Sequence, residues 1–204
     1  MISPDLRHAL IGHTGFVGST LKRQHSFTHH YRSTTIQQVA GEAFDLVVCA
    51  GAPAKKWLAN QEPEQDRQSL ASLISALGSL ESKRFVLIST VDVFARPNGV
   101  DEQTPVSKEE LHAYGLHRRE LEEFVQHTFP QSLILRLPGL VGPGLRKNII
   151  YDLHHGNEIQ KVDSRSVFQF YPMVNLWADI QLALAQDLPL LHLTAEPISV
   201  GEVC

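Results

Sequence analysis

The sequence predicts an α/β fold, a doubly wound parallel sheet with helices on both faces, and two observations carry that prediction. Short apolar runs such as "FDLVVCAG" and "RFVLIST" alternate with longer stretches of helical periodicity. The runs are apolar on both faces, as strands buried inside a parallel sheet are. Strands alternating with helices then select a wrapped parallel sheet over a sandwich or a helix bundle.

Taken in order, "LRHALIG" is the first strand and "FVGSTLKRQ" the first helix, with small residues toward the strand. "FTHHYRS" is a half-exposed second strand. The connection from there to "FDLVVCAG" leaves little room for a full crossover, so a trimmed unit with a single turn of helix is expected. "EPEQDRQSLASLISALGSL" places Leu70, Leu73, Ile74 and Leu77 on one helix face. "RFVLIST" is the next buried strand. "ARPNGVDEQTPVS" is rich in turn formers and is read as a loop over one end of the sheet. "KEELHAYGLHRRELEEFVQHTF" is predicted as one long amphipathic helix. Gly115 inside it costs about 1 kcal/mol against alanine, which suggests that a neighbour approaches closely there. "SLILRL" is a further buried strand. After Pro138 the pattern loosens into a helix at "KNIIYDLHHG", a hairpin-like "IQKV…SVFQFYP" and a helix "NLWADIQLALAQDL". The expected division is a main unit over 1–145 and a small C-terminal substrate lobe over 146–204 that is not an independent domain.

Composition narrows the function classes. The chain has 204 residues, 43% hydrophobic and 20% charged, enough to bury a core without disulfide or metal staples. A formal net charge of −4 offers no basic field to nucleic acid. No stretch approaches the roughly 20 apolar residues of a membrane span. The N-terminus carries no apolar h-region and no cleavage site, so no signal peptide is expected. Cys49 sits in an apolar run and Cys204 is the last residue, so no disulfide framework is expected and a cytoplasmic setting is the default. The eleven histidines are scattered, with no HExxH or CxxC, and no metal site is predicted.

"ALIGHTGFVGS" sets Gly12, Gly15 and Gly18 directly after the first strand and at the start of the first helix. A dinucleotide fold needs glycines there for a tight turn, for backbone approach to a pyrophosphate, and for close helix–strand packing. The predicted architecture is therefore Rossmann-like, with His13, Thr14, Phe16 and Val17 completing a cofactor loop. A glycine-rich turn without ligand is the alternative. The acidic residue that grips the ribose 2′-OH of NAD is expected about 20 residues further on. Arg32 and Ser33 stand there instead, and no Asp or Glu lies between Asp5 and Glu42. An arginine suits a 2′-phosphate, with His13 as a second donor. The cofactor predicted is NADP, with NAD as the alternative.

The segments "GHTGFVG", "CAGA", "LISTVDVF", "YGLHR" and "LRLPGLVGPG" follow one another as they do in the extended short-chain dehydrogenase/reductases. More narrowly, the chain resembles the NAD(P)-dependent epimerase/dehydratase branch, whose members mostly act on nucleotide-activated sugars. The resemblance is strong over residues 6 to 145. It implies that Thr90 orients the substrate beside Ser89 and that Tyr114 is the acid/base. Where the family has lysine four residues on, this chain has Arg118. Positions 114 and 118 share a helix face. The resemblance thus implies that Arg118 favours the phenolate of a tyrosine whose ordinary pKa is about 10 and holds the nicotinamide ribose. A guanidinium cannot give up a proton, so a relay through lysine is lost. Ala50, Gly51 and Ala52 resemble the lining of the adenine and its ribose. Leu137, Pro138, Gly139 and Leu140 resemble the segment that meets the carboxamide. Gln68 or Ser69 stands near a frequent family asparagine.

Family 4,6-dehydratases carry an Asp-Glu pair after the threonine. This chain has Val91 and Asp92, which counts against dehydration and leaves Asp92 as an acid/base or a hydroxyl acceptor. Lys55, Lys56, Trp57 and Asn60 follow a strand's C-terminal end, where ligands bind in open α/β sheets. Lys147 and Asn148 lie where the family's substrate domain begins. A solvated helix start is the competing account for all six. Residues 141–204 alone follow "LPGL", so a trimmed substrate lobe is expected. The resemblance implies an NAD(P)-dependent oxidoreductase or epimerase acting on a nucleotide sugar, and a homodimer. The alternative is a non-catalytic NADP-binding regulatory or redox-sensing protein.

Overall fold

The computed structural model of the chain describes residues 6–203; Cys204 and the first five residues of the N-terminal segment lie outside the described residues. Six parallel strands form the central sheet in the order β2-β1-β3-β4-β5-β9. They are β1 (His8–Ile11), β2 (His29–Tyr31), β3 (Ala43–Cys49), β4 (Glu81–Thr90), β5 (Ser132–Leu137) and β9 (Leu190–His192). The chain moves outward from β1 to β2 and then crosses back to β3. The strand order therefore reverses between β1 and β3, and a crevice opens there at the C-terminal strand ends.

Alternation along each strand builds two cores. Ala9, Ile11, Val47, Cys49, Phe85, Leu87 and Ile134 face α3 (Pro63–Leu77) and α4 (Ala113–Thr128), meeting Leu70, Leu73, Leu77, Leu121 and Val125. Leu10, Leu46, Val48, Val86, Ile88, Leu133 and Leu135 face the other way, toward Leu21 of α1 (Phe16–Gln24) and Leu176, Ile180 and Ala183 of α6 (Leu176–Ala185). Each fully buried apolar side chain of this kind contributes about 1.5–3 kcal/mol. The short link between β2 and β3 holds one 3₁₀ turn, Ile36–Val39, whose Ile36 and Val39 are buried.

Three expectations are corrected. The long helix begins at Ala113, and residues 108–112 are irregular. His112 caps it, its Nδ1 accepting from the Gly115 amide at 3.0 Å. "IQKV…SVFQFYP" is no hairpin. Its β7 (Val167–Phe168) runs antiparallel to β10 (Ile198–Ser199), whereas β8 (Phe170–Pro172) runs parallel to β6 (Gly139–Val141). Tyr171 and Met173 are buried in the core that α6 covers, which draws β8 away from β7. Finally, the sheet gains a sixth strand, β9, whose three residues are too few to show a period. A short α2 (Lys56–Gln61) precedes α3, and α5 (Ile149–His155) and α7 (Val200–Val203) lie in the C-terminal segment. Among the described residues, no helix is long and apolar enough to cross a membrane, and no group of three or more His, Cys, Asp or Glu could hold a metal.

Helix α4 buries two charges one turn apart. Glu122 is fully buried and accepts from Arg136 of β5, Nε to Oε1 at 3.0 Å and Nη2 to Oε2 at 2.8 Å. Arg119 and Ser89 add bonds of 3.0 and 2.6 Å to the same carboxylate. Breaking a buried pair from one side strands the remaining charge. Arg136→Met is therefore expected to cost about 3 kcal/mol in chemical denaturation, and adding Glu122→Leu to recover most of that loss.

Candidate functional site

The glycine loop is shaped by backbone contacts. Gly12 has φ +82°, and a Cβ there would fall 2.3 Å from the Ala50 carbonyl oxygen. A Cβ at Gly18 would fall 2.1 Å from the Gly12 carbonyl oxygen, so strand and helix touch at that point. Gly15 is different: its nearest neighbour is 3.5 Å away, and it caps α1 with no side-chain bond. The first amides of α1 are thus left open to an anion. Thr14 and Gly15 are exposed, and His13, Phe16 and Val17 half-buried. Ala50, Gly51 and Ala52 continue β3 into the same crevice, with Ala50 against Gly12. These residues fit a dinucleotide pyrophosphate.

At the end of β2, Arg32 and Ser33 are exposed, and the Arg32 amide donates to Thr35 Oγ1 at 3.1 Å. The rings of His13 and His30 meet edge to face at 5.6 Å. Burial holds the His13 imidazolium below its usual range, and the charges of Lys22 and Arg32 add to that. Lys22 therefore joins Arg32 as a cation at this corner, one that the sequence reading missed, while His13 is favoured as a neutral imidazole.

The other side of the crevice carries Thr90 and Tyr114. Thr90 ends β4 and caps the 3₁₀ turn Val91–Val93, its Oγ1 accepting from the Asp92 amide at 3.1 Å. Helix α4 starts directly against this turn. A Cβ on Gly115 would fall 2.2 Å from the Asp92 carbonyl oxygen, so glycine is what lets the helix seat there. The Tyr114 amide donates to Asn60 Oδ1 at 3.0 Å, which ties α2 to the same helix start. Lys56 reaches Asp92 at 2.7 Å. Five residues singled out in the sequence, Lys56, Asn60, Thr90, Asp92 and Tyr114, are thus brought together.

Arg118 occupies a different environment from the one expected. It is buried, and its guanidinium lies 3.9 Å from the centre of the Tyr114 ring. Nη1 donates to Asp66 Oδ2 and, at 3.3 Å, to the Tyr114 carbonyl. Nη2 donates to Asp66 Oδ1 at 2.8 Å and to the Pro53 carbonyl at 2.5 Å. Both terminal nitrogens expected to serve a ribose are thus already engaged, and Nε is buried without a partner. His117 Nδ1 lies 2.7 Å from Asp66 Oδ2. Burial pushes the Asp66 carboxyl up, but hydrogen bonds and charge from Arg118 and His117 leave it below the usual carboxylate range.

The tyrosine responds accordingly. Burial pushes its phenol up, Arg118 pulls down, Asp92 and Asp66 push up, and Thr90's hydrogen bond pulls down. The balance lies above the ordinary value, the opposite of the expected shift. Gln68 and Ser69 are exposed, and the residue of that helix that faces the site is Asp66. Its signal was in the sequence: Asp66 falls on the Leu70, Leu73, Leu77 face, a carboxylate on an apolar stripe.

The remaining candidates divide. Ser89 is turned to Glu122 and belongs to the buried ion cluster. Asn148 caps α5, accepting from the Tyr151 amide at 3.1 Å and donating to the Leu140 carbonyl at 2.8 Å, so both ends of its amide serve local structure. Lys147 donates to the Ala54 carbonyl, and burial, with Lys55 adding to it, holds its ammonium below the usual range. Trp57 is 64% exposed on α2. Leu137 is buried, Pro138 and Leu140 half-buried, and the space beside Gly139 is taken by the Phe170 ring, 2.9 Å from where a Cβ would lie.

A model of the NAD dependent epimerase/dehydratase family matches residues 26–166. No curated protein matches the sequence. Among solved structures, dTDP-4-dehydrorhamnose reductase of Bacillus anthracis in complex with NADP is 18% identical, with a TM-score of 0.72 over 95% of this chain and 76% of that one. WbmG of Bordetella bronchiseptica in complex with NAD is 18% identical, with a TM-score of 0.75 over 100% and 78%. UDP-glucose 4-epimerase of Thermotoga maritima with UDP-glucose is 13% identical, with a TM-score of 0.70 over 97% and 80%. At these identities the likeness is one of fold. The seat of α4 is open to test: Gly115→Ala must push the helix off the Asp92 carbonyl, and an overpacked contact of this kind costs about 1–3 kcal/mol in chemical denaturation.

Proposed function

This chain belongs to the NAD dependent epimerase/dehydratase family, and from that premise we propose that it is an NADP-linked oxidoreductase or epimerase acting on a nucleotide sugar, with Tyr114 as its acid/base. The observation that carries this reading is the seating of Tyr114 beside Thr90 at the C-terminal end of β4, on the side of the sheet where the glycine loop opens. The Gly12–Gly18 loop holds the pyrophosphate on the open amides of α1. Arg32, with Lys22 and His13 beside it, holds a 2′-phosphate. When bound, the nicotinamide cofactor supplies or accepts a hydride. Thr90 orients the reacting hydroxyl or carbonyl, and Tyr114 exchanges a proton with that oxygen. Asp92 and Lys56, paired at 2.7 Å, are placed to meet sugar hydroxyls. The nucleotide-sugar class is supported by the reductase and the epimerase among the structural neighbours.

A second reading, a non-catalytic NADP-binding protein, is favoured by one observation: Arg118 is bound to Asp66 and not free to reach a ribose. Turnover separates the two. Tyr114→Phe is expected to lower a measured NADPH-dependent rate by about 100-fold or more, with cofactor affinity kept; an unchanged rate removes Tyr114 from the chemistry. Fluorescence titration is expected to show at least about tenfold tighter binding of NADP than of NAD, a difference of about 1.4 kcal/mol. Arg32→Glu is expected to abolish it. Equal affinities in the unaltered chain would overturn the NADP assignment.

A further inference from the structure

We infer that Asp66 is a positioning residue of this site: it clamps Arg118 flat against the Tyr114 ring and cancels the guanidinium charge, so that Tyr114 serves as a proton-donating phenol and the site favours reduction of a carbonyl. The inference rests on the acid/base reading of Tyr114 and gives it a direction.

The clamp is bidentate. Both Asp66 oxygens bind the two terminal nitrogens of Arg118, and the Pro53 and Tyr114 carbonyls take further donors of the same fork. With side chains only 3% and 4% exposed, the pair is shielded from water and its geometry is fixed. The guanidinium carbon sits over the Tyr114 ring, 3.9 Å from its centre, while the terminal N–H groups are taken by Asp66 and the two carbonyls. A lysine ammonium is a point charge without a flat face and could not be held this way.

The charges around the phenol cancel in pairs. Facing Tyr114 are Arg118 of α4, Asp66 of α3, Thr90 and Asp92 at the end of β4, and the His112 ring at 6.3 Å, with His117 of α4 set against Asp66 and Lys56 of α2 against Asp92. Arg118 is matched by Asp66 and Lys56 by Asp92. With no net cation beside it, a half-buried phenol keeps its proton. The upward shift of Tyr114 agrees with that arrangement. The step assigned is proton donation. The Tyr114 Oη–H bond breaks toward the oxygen of a carbonyl whose carbon is being reduced by the nicotinamide hydride, and the phenolate is reprotonated from solvent.

The test is a pH titration of the chain labelled with ¹³Cζ-tyrosine, without cofactor or substrate, with Tyr114 assigned through Tyr114→Phe. In the unaltered chain the Tyr114 resonance is expected to titrate above the ordinary tyrosine value of about 10. Asp66→Asn keeps a hydrogen-bond acceptor and removes the charge, and it should raise the ionisation constant of Tyr114 by about tenfold or more. Titration of Tyr114 below the ordinary value in the unaltered chain would overturn the inference. So would an unmoved titration in a folded Asp66→Asn chain, since a purely structural Asp66 would not set that ionisation. If Asp66→Asn fails to fold, the titration of the unaltered chain decides alone. Neither measurement needs turnover, so this inference can fail while Tyr114→Phe still abolishes activity, and the reverse.

Discussion

Helix α4 carries a guanidinium and a carboxylate on its buried face one turn apart, and each must be neutralised where it lies. Arg118 is met by Asp66 from α3, and Glu122 by Arg136 from β5. An unpaired charge at either place would cost several kcal/mol, so the two pairs fix α4 at two successive turns, one to the neighbouring helix and one to the sheet. Tyr114 stands one turn before Arg118 on the same line of the helix. Its location is therefore a consequence of the two pairs. The Gly115 contact with the Asp92 carbonyl then sets how close to Thr90 the helix start can come.

The same constraint links the site to the body of the fold. Ser89 and Thr90 are adjacent at the end of β4, with side chains on opposite faces of the strand. Ser89 joins the Glu122 cluster, and Thr90 caps the turn that carries Asp92. One strand end thus anchors both the buried ion network and the half-buried polar group of the crevice. On the far side of the crevice, Gly12 lies against Ala50 with no room for a Cβ, so β1 and β3 are held together where the strand order reverses. The site is built from contacts that also hold the sheet.

Most of the architecture was legible in the sequence because it follows from periodicity and backbone rules. The alternation of β1, β3, β4 and β5 divides the two cores residue by residue, and the three glycines announce a turn that tolerates little else. Gly115 could be read as a point of close approach, though not what approached it. The start of α4 was misread because Lys108, Glu109, Glu110 and Leu111 suit a helix by propensity, while the imidazole of His112 caps the chain only from Ala113 onward. Asp66 was missed for another reason. Resemblance pointed to Gln68 and Ser69, whereas the apolar spacing of Leu70, Leu73 and Leu77 already placed Asp66 on the inward face. The pairing itself, across 52 positions, is tertiary information that no local pattern contains.

Arg118 and Asp66 are best understood as one unit. A guanidinium stays charged at any accessible pH, so burying it beside a tyrosine leaves two outcomes. Unpaired, it would be a strong local field that stabilises a phenolate and destabilises the fold. Paired, it becomes a rigid, nearly neutral plate. The structure adopts the second: the carboxylate is bidentate, the backbone carbonyls of Pro53 and Tyr114 accept further bonds from the terminal nitrogens, and the ring lies against the plate. An arginine in place of lysine is thus more than a conserved positive charge. It exchanges a mobile ammonium that can pass a proton for a fixed surface that cannot, and the carboxylate on α3 is what makes that exchange compatible with burial.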